Sequence, residues 1–429
     1  MPTEQNAERE SSGHDAAFVE LGMLLLEAGL SVTDVRDELE TVRRTAAPDE
    51  PLSFEVLADT VFVSRARGTG PVAMGSIGQS ELPVRQAARA VRFSHALASG
   101  ERDLAEVAGE ARRIRDHPAP HGTLGWIGGC VLIAAGLATV FRCPWWAILL
   151  AALVGCAVGA VIRLMSRSRP AAAILPFVAT FLSTLLVGAV AAWADLGPVP
   201  LFAVCAPIAI LVPGALITNA LLELTANDIV TGASRLVYGL IVLGFMVLGI
   251  LAGGAPTGLR IDPGSASLVG DAAALGHAHG TWTALPPQWA AWVGVVGVAI
   301  GISLALGSGS RLTALAVVVM TCTYAVLSIL TPHVGSIVAT GVSAAVLFAA
   351  ARLLERSGFS VPAAITFQPA FLLLVPGTVG LVAITASSGE ALATAPATFV
   401  SLCIGIKVGS VITDTPWARV FTRRAAIPG

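Results

Sequence analysis

Ile210-Leu-Val-Pro-Gly214 lies in the middle of a long apolar segment, Leu201 to Leu224, and Leu373-Leu-Val-Pro-Gly377 repeats it inside another, Val361 to Thr385. A proline inside a helix removes one backbone hydrogen bond and crowds the carbonyl four residues back. Here those carbonyls belong to Ala209 and Leu372. The adjoining glycine loosens the turn further. In water the pair reads as a helix stop. In a bilayer an unsatisfied carbonyl costs several kcal/mol, so a break survives only where protein or a wet cavity covers it. Two broken apolar segments, one in each half of the chain, point to a transporter binding site near the membrane midplane. A pair of proline kinks that only bend helices for packing is the alternative.

The composition supports a membrane setting. The chain of 429 residues is 55% hydrophobic and 13% charged, whereas soluble domains carry about 25% charged residues. The apolar residues come in long runs rather than in alternation or one amphipathic stripe. A net charge of −2 gives no footprint for nucleic acid. Lys407 is the only lysine and sits in Gly-Ile-Lys-Val-Gly, so the Gly-Lys-Ser/Thr of a phosphate-binding loop is absent. The six cysteines lie mostly within apolar runs and form no Cys-x-x-Cys pair, which points to neither disulfides nor zinc. Met1 to Asp15 is polar and acidic, without the apolar core of a signal peptide.

From this reading the chain divides into a disordered N-terminus (1–14), a cytoplasmic α+β domain (15–117), a first five-span membrane half (118–254), an extracytoplasmic loop (255–287), a second five-span half (288–416) and a cytoplasmic tail (417–429). In the second of these, Phe18, Leu21, Leu24, Leu25 and Ala28 follow helical spacing; Gly29 stops that helix, and Ser31 or Thr33 caps the next, which carries Val35, Leu39 and Val42. Phe54 to Leu57, Thr60 to Ser64 and Val72 to Ile77 read as strands, with Gly68 and Gly70 in a turn. Two further helices follow, and His117-Pro-Ala-Pro-His121 reads as a linker.

A helix needs about 20 apolar residues to cross a bilayer. Ten such stretches can be counted: about 122–141, 145–163, 171–193, 200–223, 235–254, 288–306, 312–330, 334–352, 361–385 and 394–415. Arginines sort the loops by side. Arg163, Arg167, Arg169, Arg235, Arg311, Arg352, Arg356, Arg419, Arg423 and Arg424 fall on one side, Arg142 and Arg260 on the other, so both termini belong in the cytoplasm. The broken fourth and ninth spans are five apart. An odd offset makes the two copies cross in opposite directions, the mark of an inverted repeat. A rival pairing, Arg163-Leu-Met-Ser-Arg-Ser168 with Arg352-Leu-Leu-Glu-Arg-Ser357, has an even offset and would imply a parallel one. The fold class is therefore an all-α polytopic membrane protein of about ten helices in two halves, with a small N-terminal α+β domain.

Ionisable groups inside spans are costly and point to function. The fourth span continues as Ile217-Thr-Asn-Ala-Leu-Leu-Glu223, which places Asn219 and Glu223 four apart on one face. Glu223 reads either as a buried proton carrier or as a carboxylate at the cytoplasmic boundary. Asn227 and Asp228 read first as caps or turn residues, then as a gate with Arg235. Lys407 sits about 13 residues into the tenth span, roughly 20 Å at 1.5 Å per residue. Asp414 follows on the same face, and the two could instead form a structural ion pair. The substrate-binding set is Pro213, Gly214, Thr218, Asn219, Glu223, Gln368, Pro376, Gly377 and Thr378; the coupling and gating set is Glu223, Asp228, Arg235, Lys407 and Asp414. There is no catalytic or metal-binding set and no cofactor. His277-Ala-His279 lacks a third ligand and reads as solvated loop. Thr180, Ser183 and Thr184 read as helix-packing hydroxyls.

The cytosolic start Leu21-Gly-Met-Leu-Leu-Leu-Glu-Ala-Gly-Leu-Ser-Val-Thr-Asp-Val35, followed by five spans and five more, resembles the threonine/serine exporter (ThrE) family. Val212-Pro-Gly-Ala-Leu-Ile-Thr, Glu223, Gly232 and Arg235 are similar to the signature of the family's first half, and Leu374-Val-Pro-Gly377 to its counterpart. The resemblance implies a multi-pass protein of the bacterial inner membrane. It implies export of threonine and serine driven by the proton gradient, with dicarboxylates such as succinate as alternative cargo. The partners so implied are a small polar amino acid, protons and the lipid bilayer; a homo-oligomer stays open. A membrane-anchored sensor that uses the N-terminal domain is the rival of another class. A membrane enzyme is disfavoured because the spans hold no catalytic cluster.

Overall fold

The computed structural model describes residues 2–65, 72–78, 82–118, 120–226, 228–262, 265, 285–354, 370, 373–374 and 389–414. They fall into two units: the described residues of Met1–Ala119, Asn219–Arg235 and Gly358–Ile365, and those of Pro120–Thr218, Leu236–Ser357 and Thr366–Gly429.

In the first unit, helix α1 (Pro2–Glu27) is followed by α2 (Val32–Ala46). Gly29 at φ +83° breaks the chain between them, a conformation glycine adopts without cost. Ser31 caps α2, its Oγ accepting the Asp34 amide at 3.1 Å. Helix α1 starts at Pro2, although residues 1–14 were expected to be disordered; the run Glu4 to Arg9 is rich in strong helix formers.

Strands β1 (Leu52–Val56), β2 (Thr60–Arg65) and β3 (Ala73–Ser76) form an antiparallel sheet in sequence order. Their alternate buried residues Phe54, Val56, Val61 and Val63 meet Phe18, Leu21 and Leu25 of α1 and Val35, Leu39 and Val42 of α2. The rings of Phe18 and Phe54 lie 5.2 Å apart. Helices α3 (Val84–Ala98) and α4 (Val107–Arg115) complete this core with Val91, Leu97 and Val107. Arg115 ties α4 to Glu20 and Glu27 of α1. Hydrogen bonding from Arg43 holds the Glu40 carboxyl of α2 below the usual carboxylate range.

In the second unit the apolar runs become helices. These are α5 (Gly122–Val140), α6 (Trp145–Met165), α7 (Arg169–Trp193) and a short α8 (Leu201–Cys205). Next come α9 (Gly214–Thr225) and α10 (Ile229–Gly254), each of which contributes residues to both units. Then follow α11 (Gln288–Ala305), α12 (Ser310–Leu354) and α13 (Gly389–Asp414). Among the described residues six helices are long and apolar enough to cross a membrane. Leucines 149, 153, 240, 248 and 251 on α6 and α10 are exposed, a surface that lipid solvates and water does not.

Two features depart from the expected spans. Spans 312–330 and 334–352 were expected as separate helices. Instead α12 runs on through Pro332 and changes direction only at Gly335 (φ 78°, ψ 160°). At about 1.5 Å per residue, 45 residues would reach more than twice the thickness of a bilayer's hydrocarbon core, so this single extended glycine takes the place of a loop. Helix α13 begins at Gly389, ahead of the expected 394. The ninth stretch, 361–385, lies almost wholly outside the described residues, as do Gly68, Gly70, His277 and His279.

Close helix crossings hold this unit together. A side chain on Gly129 of α5 would meet the Gly301 carbonyl of α11 at 2.6 Å, and one on Gly136 would meet the Gly294 carbonyl at 2.7 Å. The converse holds from α11, where Gly294 faces the Gly136 carbonyl at 2.7 Å and Gly301 faces that of Gly129 at 2.8 Å. Without a hydrophobic drive between helices in lipid, such small-residue contacts supply the packing.

Candidate functional site

The segment around Pro213 is broken. The five residues of α8 continue as a 3-10 helix, Ala206–Leu211; Val212 is then extended (φ −65°, ψ 121°), and α9 starts at Gly214. Leu201 to Ala209 are all buried, so protein covers the irregular backbone, as an apolar setting demands. Phe202 stacks on Phe141 with ring centres 3.4 Å apart, and Ser183 of α7 donates to the Val204 carbonyl at 2.8 Å. The Ala209 carbonyl, expected to lose its donor to Pro213, accepts the Val212 amide at 3.2 Å. The tighter 3-10 turn supplies a donor three residues on where proline denies the one at four. The Pro213 carbonyl takes the Ile217 amide at 3.0 Å, so a regular helix resumes at once.

Ten residues beyond the break, α9 ends at a corner built in the first unit. Glu223 is 1% exposed and receives a short hydrogen bond from the Arg235 guanidinium of α10. The amide of Val32, the first residue of α2, faces the same carboxylate. Glu223 Oε2 makes no hydrogen bond among the described residues. The Glu223 backbone carbonyl accepts the amides of Ala226 and Asp228, both at 3.0 Å, which turns the chain toward α10. Asp228 then starts α10 by accepting the Gly232 amide at 3.0 Å. Its side chain instead goes to α2: Thr33 Oγ1 donates to Oδ2 at 3.0 Å, and Arg36 NH2 to Oδ1 at 3.4 Å. Close approach of α9 and α10 requires Gly232, where a side chain would meet the Ala220 carbonyl at 2.8 Å.

Asp228 was read first as a cap or turn residue, the place it takes at the start of α10, and second as a gate with Arg235, to which its side chain makes no bond among the described residues. Arg235 reaches Glu223 across the helical hairpin, and Asp228 is held by Thr33 and Arg36. Asn219 is half-buried on α9, one turn before Glu223. Lys407 is exposed on α13, away from the seam where Gly405 and Gly409 meet α12. Side chains of Thr218 and Asp414 lie outside the described residues, as do Gln368, Pro376, Gly377, Thr378 and Asn227 entirely. Thr180 and Thr184 donate to carbonyls of their own helix, at 2.8 Å to Pro176 and to Thr180 respectively. Sequence reasoning missed Thr33 and Arg36. Their one visible signal was a polar pair three residues apart on α2, beside its buried Val32, Val35 and Leu39 stripe.

Apolar helices of spanning length, one of them interrupted under cover of protein, with a buried carboxylate–guanidinium pair further along it, define an integral helical membrane protein. The family model described as "Putative threonine/serine exporter" matches residues 16–255, more than half of the chain, and the chain belongs to this ThrE family of membrane transporters. No curated protein and no solved structure matches it.

Proposed function

We propose that this protein exports small polar amino acids, L-threonine and L-serine, from the cytoplasm by proton-driven alternating access. The observation that carries the reading is the helix interruption at Val212–Pro213, continued by α9 to the buried Glu223. The substrate carboxylate meets the amino end of α9, where free amides and the helix dipole favour an anion. Asn219 meets the ammonium or the hydroxyl. Glu223 exchanges its hold on Arg235 for a proton, which couples the cycle. Pro376, Gly377, Thr378 and Gln368 supply the matching half of the site, and Lys407 with Asp414 acts in gating.

The two halves are an inverted repeat of ten spans, with boundaries at 118–254 and 288–416. Helix packing supports this. The third and fifth spans, α7 and α10, touch where Gly249 and Gly253 face the Phe177 and Phe181 carbonyls at 2.5 Å. Their counterparts five spans on, the second arm of α12 and α13, touch where Gly341 faces the Ser401 carbonyl at 2.7 Å and Gly409 faces that of Ala345 at 2.8 Å. The first and sixth spans, α5 and α11, meet through reciprocal glycines, as elements exchanged by a two-fold axis would. Trp145 and Trp193 are exposed at the ends of α6 and α7 opposite the ends that carry Arg163 and Arg169, which supports cytoplasmic termini.

Counterflow in proteoliposomes tests the reading. Vesicles loaded with threonine should accumulate labelled threonine or serine, and an imposed proton gradient should drive net flux. Accumulation of succinate instead would move the substrate class to dicarboxylates. Flux of neither would sink the exporter assignment.

A further inference from the structure

The contact between α2 and the α9–α10 corner has no place in the transport reading so far. It joins residues about 195 positions apart in the chain. Thr33 and Arg36 are one helical turn apart and so share a face. Both hold Asp228, the residue whose carbonyl opens α10. Arg235, the partner of Glu223, lies two turns into the same helix. A pull on Asp228 is thereby a pull on the first turns of α10 and on the guanidinium that neutralises Glu223.

The contact is also built to be reversible. Arg36 faces two carboxylates, Asp228 at 3.4 Å and Glu55 of β1 at 3.6 Å, and its Nε makes no hydrogen bond among the described residues. It can give up one carboxylate for the other without becoming a bare charge. The bonds from Thr33 and Arg36 both run to the one Asp228 carboxylate, and the one from Arg36 is long, at 3.4 Å. Behind the contact, Glu223 keeps one buried oxygen without a donor among the described residues, a position fit to take a proton or a substrate ammonium once the corner moves. The charged groups around it are Asp34, Arg36, Glu55, Glu223, Asp228 and Arg235.

We propose that the first turn of α2 is a latch on the transport cycle: Thr33 and Arg36 clamp Asp228 and keep the α9–α10 corner closed over Glu223, and the transfer of Arg36 toward Glu55 opens it. Thr33 and Arg36 are thus positioning residues that act through Asp228. The inference rests on the exporter reading above.

The test uses the full chain in proteoliposomes, with Arg36→Asp, Asp228→Arg and the double exchange, and the milder Thr33→Val and Arg36→Gln beside them. Two quantities are read: initial efflux of labelled threonine, and deuterium exchange of the amides of residues 32–36. Each single charge reversal should slow efflux about fivefold and speed exchange of those amides, and the double exchange should return both to within about twofold of wild type. The milder variants should move both readouts the same way by less. A double exchange as slow as the single reversals, or singles that leave efflux and exchange unaltered, overturns the latch. A wild type that transports neither amino acids nor dicarboxylates sinks the exporter reading and the latch with it. A wild type that transports while the charge reversals leave efflux untouched sinks the latch alone.

Discussion

Two helix contacts in this chain use glycine for close approach and do different things with it. Between α5 and α11, Gly129, Gly136, Gly294 and Gly301 bring two backbones together, and the atoms nearest to them belong to glycine, alanine, valine, isoleucine and threonine. Between α9 and α10, Gly232 allows the same closeness, but the residues it brings together include Glu223 and Arg235. A seam of bare backbone has one good arrangement, because any slide drives Cα against carbonyl. A seam that carries a carboxylate and a guanidinium has several, since each group can take another partner or a proton. The first contact is suited to hold a scaffold and the second to change state.

The largest expected effect comes from removing the second contact's charge. Glu223→Gln leaves Arg235, only 15% exposed, without its counter-ion. Loss of one partner from a buried pair costs about 3–5 kcal/mol. Threonine efflux should fall by about 100-fold or more. Replacing both residues, Glu223→Gln with Arg235→Met, should restore thermal stability while efflux stays lost. Restored efflux in that double variant would take Glu223 out of the coupling step.

Next in size is a wedge in the first contact. Gly136→Val pushes a side chain into the Gly294 carbonyl and the Val298 side chain, the latter 2.7 Å from where its Cβ would sit. Overpacking of this kind costs about 1–3 kcal/mol. The thermal midpoint should drop, while efflux per folded molecule holds near wild type. A variant that keeps its midpoint but loses efflux would reverse the roles assigned to the two seams.

Much of this comparison was legible in the sequence, and the limits are physical. Pro213 marks its break because proline acts on its own backbone, whatever the fold around it. Gly29 and Ser31 mark the end of α1 and the start of α2 for the same local reason. Glu223 stood out as a carboxylate in an apolar run, but it was given no partner, and Arg235 was set with Asn227 and Asp228 instead. Glu223 lies two residues before the end of α9 and Arg235 six residues after the start of α10, so their meeting depends on how the two helices pack at Gly232, whereas nearness in sequence favoured Asp228. Thr33 and Arg36 left only a polar pair one turn apart on α2 as a trace, because their partner is 192 residues or more away in the chain. The counted spans 312–330 and 334–352 leave only Thr331 to His333 between them. The chain bends instead at Gly335, where a positive φ is free.

A smaller change tests whether closeness at the second contact is needed for its chemistry. Gly232→Ala adds one methyl group 2.8 Å from the Ala220 carbonyl and 2.9 Å from the Leu224 amide. The helices must part by a few tenths of an ångström, which carries Arg235, one turn further on, away from Glu223. Efflux should fall by about tenfold, in line with a loss of 1–2 kcal/mol. Gly297→Ala on α11 offers the control, since its nearest neighbours across the seam would lie at an unstrained 4.0 Å. Equal losses from the two substitutions would mean that any added bulk in the spans slows transport, and the special closeness at Gly232 would lose its meaning.

The smallest effect separates covering of the broken segment from ordinary helix packing. Ser183 and Thr184 are neighbours on α7 and both are fully buried. The Ser183 hydroxyl donates to the Val204 carbonyl, across to the segment that breaks at Pro213. That of Thr184 bonds back to Thr180 on its own helix. Ser183→Ala takes a donor from a buried carbonyl next to irregular backbone and should cost about 1 kcal/mol, with a measurable drop in thermal midpoint. Thr184→Val keeps the shape that packs against Gly253 and leaves the Thr180 carbonyl to its helix, so its cost should stay within about 0.5 kcal/mol. If the two variants melt together, Ser183 is one more packing hydroxyl, and the cover over the broken segment comes from apolar contacts such as the Phe141–Phe202 stack.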